Sequence, residues 1–429
     1  MPTIDKKMDA GQTSDQKCVI IGASHGGVSV AFDLRKRGWQ GDIILIDKDP
    51  QLPYHRPPLS KTLLTGDKRI DEILLRPIKS YEEQKIELKL GRTVQSINRK
   101  ARFMVLENGE KLAYSKLVMA VGARPIIPPI EGCDTSKHLY TIRDVQDITR
   151  IKNALDNSTN KSVVIIGGGY IGLEAAASLI KLGASVTVLE REQRTLARVA
   201  APEVSCFFET LHAQHGASIH TSKLVTKIQE RGDTQAVECS DGSVFLADII
   251  IMGVGISVNT ALAEAAGLKL SNGIAVDGST RTSDEHIFAV GDCTSHYNPH
   301  YDRTIRLESV QNAADQAKVA AATICDEAIV YDKIPWFWSD QYDVKFQAVG
   351  LSTGYDQLIM RKEAGDGNHL SVWYFAGDTL LAVDAVNHPK AYVLGTKLIK
   401  GGQKIDKTNL ADAEKDLSLS NLLTSKLAT

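Results

Sequence analysis

The 429-residue sequence has no C-x-x-C pair: its six cysteines, Cys18, Cys133, Cys206, Cys239, Cys293 and Cys325, are scattered. That spacing excludes a zinc-finger-type metal site and a redox dithiol, and reads as reduced, structural or incidental thiols. No apolar run approaches the roughly 18 residues that a bilayer span needs. A net charge of −2 gives no global electrostatic reason to bind nucleic acid or a membrane surface. Residues 1–16 lack the apolar core of a secretory signal and read as a disordered tail, which makes the cytoplasm the expected location. What is present is an ordinary globular composition, 43% hydrophobic and 24% charged. The length suggests roughly two to four domains.

The stretch 161–190 organises the rest. A β-branched run at 163–166 opens into Gly167, Gly169 and Gly172, then a helix-like Ala/Leu segment closed by Gly183, then a second run at 186–189 ending on Glu190. Strand, glycine turn, helix, strand and terminal acid make a dinucleotide-binding fingerprint. Gly167 permits the tight turn, Gly169 lets the backbone approach a pyrophosphate, and Gly172 lets the helix pack on the strand. The helix N-terminus offers N–H groups and a positive dipole end to the phosphates. Glu190, 23 residues after Gly167, is placed to accept hydrogen bonds from a ribose diol.

Residues 17–47 repeat the pattern: strand, glycine turn with Gly22 and Gly27, helix stopped at Gly38, strand, and Asp47. Two departures stand out. Ser24 occupies the second glycine's place, where a Cβ crowds a pyrophosphate but a hydroxyl can also bond it. Asp47 replaces the commoner glutamate and reaches one methylene less far. Two such units imply two dinucleotides, FAD bound first in the chain and a nicotinamide second; the alternative is one cofactor and a chance look-alike. A flavoenzyme that reduces disulfides needs a dithiol beside the flavin, and no candidate pair or iron–sulfur ligand set exists here.

Between and beyond these units, prolines at 53, 57 and 58 forbid regular structure, and a helix capped by Ser60 is expected over 59–64. Arg56 and Lys61 stand in this loop. Composition alone reads them as solvated, whereas a position beyond the carboxyl end of the Asp47 strand favours a ligand. Residues 70–116 read as small strands. Gly122, Arg124 and Pro125 mark a crossing between domains, and a strand ending in Gly253 and Gly255 marks the return. A strand at 287–290 delivers Asp292, read either as a turn acid or as a partner for a polyol such as the flavin ribityl chain. A helix is expected over 304–323, its start at 309–312, including Val310, aimed at the flavin pyrimidine. From about 332 an aromatic cluster leads into antiparallel strands and a helix from about Lys390. Trp338, beside a polar Ser-Asp pair, is the candidate edge facing the flavin.

Taken in order, RPPLSK (56–61), GARP (122–125), GGGYIGLE (167–174), LARVAAPEVSCFFETLH (196–212), RTSD…AVGDC (281–293), RLESVQNAADQA (306–317) and WFWSDQYDVKFQ (336–347) make the chain resemble a known family. It is that of the putidaredoxin-reductase-like, NADH-dependent ferredoxin reductases of bacterial oxygenase systems. The resemblance covers about 17–405 and implies a glutathione-reductase-like α/β fold: two Rossmann-like domains plus an α+β C-terminal domain. The expected boundaries are 17–127 with 255–331 for FAD, 128–254 for NAD and 332–416 for the C-terminal domain, with tails at 1–16 and 417–429. The resemblance sets Lys61 beside the isoalloxazine ring with Glu174 as its partner, Asp292 on the ribityl chain, Arg124 in the FAD-contacting crossover and Trp338 near the flavin. It implies hydride transfer from NADH to flavin, then single-electron delivery to a 2Fe–2S ferredoxin serving a Rieske dioxygenase or a P450.

Glu190 favours NADH, since a 2′-phosphate meets its carboxylate, although Arg191 and Arg194 could accommodate one. Gly255 is taken as a further NAD contact. Arg306 and Lys345 are the expected members of a basic docking patch for an acidic ferredoxin. No protein metal site is expected. The rival readings are a rubredoxin reductase of the same architecture and a flavin-dependent, apoptosis-factor-like regulatory protein. A peroxidase or NADH oxidase needs a redox cysteine near the flavin, and the 48–61 loop has none.

Overall fold

Two five-stranded parallel sheets carry the two glycine turns. The computed structural model describes residues 16–232, 234–363 and 369–423; the expected amino-terminal tail lies, apart from Gln16, outside them. The chain divides into two compact units.

The first comprises the chain up to Tyr54, Leu74–Gly122 and Val258–Lys333. Its parallel sheet runs Ile287–Ala289, Lys116–Met119, Lys17–Ile21, Asp42–Asp47, Ile86–Leu90. Val19, Ile20, Ile44 and Leu45 are buried, as in a parallel sheet covered on both faces. Helices His25–Lys36 and Val310–Ile324 share one core, where Ala31, Ala317, Ala320 and Ala321 let them approach closely. The expected small strands appear as Val94–Asn98, Phe103–Leu106 and Lys111–Ala113. The helix expected from 304 starts only at Val310. Residues Arg303–Ile305 are a strand paired with Thr294–Asn298, and Ser309 Oγ accepts the Asn312 N–H at 3.1 Å, capping the helix.

The second unit comprises His55–Ile73, Ala123–Ser257 and the chain from Ile334. Its parallel sheet runs Ser218–His220, Ser185–Leu189, Ser162–Ile166, Ile249–Met252, Leu139–Tyr140. An antiparallel sheet follows in the order Trp336–Gln341, Val344–Gly350, Thr379–Val386, Leu370–Ala376, Gln357–Lys362. Segments expected as separate domains, 128–254 and 332–416, fall in this one unit. The reason is a shared core: Phe346, Val372, Tyr374 and Val386 of the antiparallel sheet pack with Leu173, Val204 and Phe208. After the excursion at His55–Ile73, the chain re-enters the unit at Ala123 and leaves after Ser257.

Two expectations need correction. The expected tail from 417 is ordered to 423, because Leu417 and Leu422 are buried in the core that includes Leu394 and Leu398 of the Pro389–Gly401 helix; residues 424–429 lie outside the described ones. The helix expected over 59–64 is instead a 3-10 turn at Pro57–Ser60. Two successive prolines fix φ and remove two donors there, and Ser60 spends its hydroxyl elsewhere.

Candidate functional site

The glycine turns separate into positions the backbone needs and positions it does not. Gly22 has φ +105° and Gly167 φ +110°; a Cβ would stand 2.2 Å from the Ala120 carbonyl oxygen in the first case and 2.5 Å from that of Gly253 in the second. A Cβ on Gly27 would lie 1.8 Å from the Gly22 oxygen, and one on Gly172 2.2 Å from the Gly167 oxygen. The middle position differs. Gly169 has φ −82° and a Cβ there would have nothing within 4 Å, and Ser24 holds an unstrained φ of −99°. At Gly169 the protein itself therefore leaves room for a side chain, and Ser24 fits the turn without strain. Neither the His25–Lys36 nor the Tyr170–Lys181 helix has a side-chain cap, so both leave first-turn N–H groups for phosphate.

Each terminal acid locks its turn. Asp47 Oδ2 accepts the Ala23 N–H at 2.6 Å and Oδ1 that of Asp49 at 2.9 Å. Glu190 Oε2 accepts the Gly168 N–H at 2.7 Å and Oε1 that of Glu192 at 2.9 Å. A carboxylate oxygen accepts more than one donor, so ribose hydroxyls can be added. The residues present fit two dinucleotides. Arg194 is committed inward, donating to the Ala200 carbonyl (2.8 Å), Ser205 Oγ (2.6 Å) and the Ala197 carbonyl (3.1 Å). Arg191 is exposed and pairs with Glu192 at 3.0 Å. Gly255, at φ +119°, lies against the Arg198 guanidinium, 3.6 Å from where a Cβ would stand.

In the second unit the expected Lys61–Glu174 pair is formed, Nζ to Oε1, at 2.8 Å. Glu174 is only 3% exposed, and a buried charge needs full pairing. Two hydroxyls complete it: Ser339 Oγ donates to Oε1 and Ser60 Oγ to Oε2, each at 2.6 Å. The Ser60 carbonyl in turn accepts from Ser178 Oγ at 2.7 Å. Neither serine clamp was anticipated. The available signal was period-two alternation, which sets Ser339 on the same strand face as Phe337, whose ring is 4.7 Å from that of Tyr170. By the same rule Trp338 takes the opposite face with Trp336, ring centroids 5.5 Å apart.

The remaining candidates are taken one by one. Arg56 donates to the Arg143 carbonyl at 2.5 Å. Arg124 is exposed on the short strand Ala123–Pro125. Asp292 follows Gly291, whose N–H donates to Gln316 Oε1 at 2.8 Å, and Val310 opens its capped helix. Arg306 is the other residue expected in the docking patch. Its side chain is 16% exposed, paired with Glu308 at 2.7 Å and set against the Asp292 carbonyl at 3.5 Å. Lys345 is exposed.

Paired nucleotide turns define the class. The chain belongs to the pyridine nucleotide-disulphide oxidoreductase family, which residues 16–317 match, and residues 336–420 match the reductase C-terminal domain. It is 40% identical over 407 residues to putidaredoxin reductase of Pseudomonas putida, covering 93% of this chain and 95% of that protein. It is 41% identical over 391 residues to a ferredoxin–NAD(P)(+) reductase of Sphingomonas sp, covering 90% and 94%. The crystal structure of the covalent putidaredoxin reductase–putidaredoxin complex matches with a TM-score of 0.89 at 40% identity, over 94% of this chain and 97% of that one. The expected α/β class and oxidoreductase assignment hold.

Despite the family's name, all six cysteines are free. Burial pushes the Cys18 and Cys293 thiols up to about 12, far from thiolate reactivity. Among the described residues no group of three or more His, Cys, Asp or Glu is arranged to hold a metal ion, and no helix is long and apolar enough to cross a membrane.

Proposed function

We propose that this protein is an NADH-dependent, FAD-containing reductase that passes electrons to a 2Fe–2S ferredoxin supplying an oxygenase. The observation that carries the reading is the pair of matched glycine turns, each locked by its own acid, in a chain whose cysteines form no dithiol. FAD belongs to the turn at Gly22, Ser24 and Gly27 with Asp47, and NADH to that at Gly167, Gly169 and Gly172 with Glu190. When bound, FAD accepts a hydride from NADH and yields the two electrons singly to a one-electron carrier.

The chain's own residues bind, orient and supply fixed charge. The uncapped helix ends take the phosphates. Lys61, held by Glu174, is the cation beside the isoalloxazine ring, where it stabilises developing negative charge without rearranging. Asp292 would receive the ribityl hydroxyls and the Val310 helix end would offer its N–H groups to the flavin, with Arg56, Arg124 and Trp338 assigned as further flavin contacts and Gly255 as a further NAD contact. No side chain is required to move a proton in this scheme. Glu190 meets a 2′-phosphate unfavourably and Arg194 is spent on the 197–205 segment, which supports NADH over NADPH; the exposed Arg191 is the remaining basic side chain that could meet that phosphate. We assign 17–127 with 255–331 to FAD, 128–254 to NAD, and the cytoplasm as location.

The test is purification followed by anaerobic titration and turnover. The product is expected to be yellow, to be bleached by NADH, and to reduce a purified 2Fe–2S ferredoxin faster than rubredoxin. A colourless product that FAD does not reconstitute, or faster turnover with rubredoxin, overturns the assignment.

A further inference from the structure

Glu174 is the inner end of a hydrogen-bonded chain that runs through the second unit to the hairpin at Tyr342. Ser339 Oγ lies 2.6 Å from Glu174 Oε1, and Gln341 Nε2 lies 3.3 Å from Ser339 Oγ. His212 Nε2 lies 2.9 Å from Gln341 Oε1, and Tyr342 Oη lies 3.1 Å from His212 Nδ1. Ser339, Gln341 and His212 are buried.

The polarity of each bond follows from the one before. An ionised carboxylate paired with Lys61 only accepts, so the Ser339 hydroxyl donates to it. The Ser339 oxygen is then an acceptor, so the amide nitrogen of Gln341 faces it and the amide oxygen faces His212. That oxygen cannot donate, so His212 carries its proton on Nε2 and accepts on Nδ1 from Tyr342. Burial depresses the pKa of His212 and pushes the Tyr342 phenol up to about 12, which keeps one ring neutral and the other protonated.

The outer end carries a separate mark. Tyr342 lies between the strands Trp336–Gln341 and Val344–Gly350 at φ +55°, the left-handed region that a bulky side chain rarely takes. Glycine or asparagine suits such a position better. In return the Tyr342 ring stacks on His215, centroids 3.7 Å and planes 15° apart, and its hydroxyl reaches His212. The strained turn is retained where those contacts hold it.

We infer that His212, Gln341 and Tyr342 are positioning residues: they hold the Ser339 hydroxyl in the rotamer that donates to Glu174 and so keep the Lys61 ammonium in one place. The inference rests on Lys61 being the cation beside the flavin, and none of the three touches a cofactor in it.

The experiment uses the FAD-loaded protein, labelled with 15N-histidine, and its variants His212→Leu, His212→Gln and Tyr342→Phe. In the wild type, NMR is expected to show His212 as the neutral Nε2–H tautomer through the neutral pH range. His212→Leu is expected to slow anaerobic bleaching at saturating NADH roughly tenfold while leaving the NADH dissociation constant unchanged. His212→Gln, which can still donate to Gln341 and accept from Tyr342, stays within about twofold of wild type. Tyr342→Phe, the variant that decides if His212→Leu does not fold, keeps the Nε2–H tautomer that the Gln341 oxygen demands but leaves Nδ1 without its donor, and slows bleaching. Equal slowing in the Leu and Gln variants marks a merely structural role and overturns the inference. So does a wild-type His212 protonated on Nδ1, or a Tyr342→Phe variant unchanged in rate. A wild type that NADH does not bleach defeats the functional reading itself; a normally bleached wild type with indifferent variants defeats only the chain.

Discussion

At the scale of single residues, one methyl group distinguishes the two kinds of glycine in the nucleotide turns. At Gly172 it would stand 2.2 Å from a backbone oxygen that the turn cannot move, whereas at Gly169 it meets no protein atom and the backbone is already in a region open to alanine. Gly172→Ala is therefore expected to yield unstable or insoluble protein. Gly169→Ala should melt with the wild type but raise KM for NADH by roughly an order of magnitude, because the methyl occupies pyrophosphate space. Thermal melts and steady-state kinetics on the two variants check this, and an unchanged KM in Gly169→Ala would remove the phosphates from that turn. The contrast also explains what was readable in advance. Gly22, Gly27, Gly167 and Gly172 are dictated by local backbone geometry, so their spacing announces the turn. Ser60 and Ser339 are dictated by a contact with Glu174, respectively 114 and 165 residues away in sequence, and nothing local marks them.

At the scale of elements, local signals decided strands and helices except where a partner overrode them. Pro57 and Pro58 shortened the anticipated helix to a single turn, and the pairing of Arg303–Ile305 with Thr294–Asn298 delayed the next one. The C-terminal segment shows the same priority of tertiary contact. Arg361, on the strand Gln357–Lys362 and 1% exposed, pairs with Glu363 at 2.5 Å. It also donates to the carbonyls of Leu410 (3.3 Å), Asp412 (2.7 Å) and Lys415 (2.6 Å). One guanidinium thus fixes a stretch with little regular structure, which carries Leu417 and Leu422 into the core. Arg361→Met keeps the apolar stem but strips those acceptors of their donor. Removing one partner of a buried pair costs about 3 kcal/mol or more. Calorimetry should show a lowered Tm, with the rate of flavin bleaching by NADH retained in protein that remains folded. A Tm equal to wild type would mean the segment is held by its leucines alone.

At the scale of the whole molecule, a net charge of −2 supplies almost no long-range field, so association with an acidic electron carrier depends on local positive groups. The two cations singled out by sequence diverge here: Arg306 is neutralised by Glu308 and turned toward the Asp292 carbonyl, while Lys345 is exposed. Only Lys345 can contribute its charge to a docking surface at full strength. Lys345→Glu should therefore raise KM for ferredoxin several-fold at low ionic strength and lose that effect as salt shortens the Debye length to about 10 Å at 0.1 M. Bleaching by NADH alone, which involves no protein partner, should not change. Stopped-flow bleaching and ferredoxin turnover across a salt series separate the two steps, and a ferredoxin KM that ignores both the substitution and the salt would move the docking surface away from this strand.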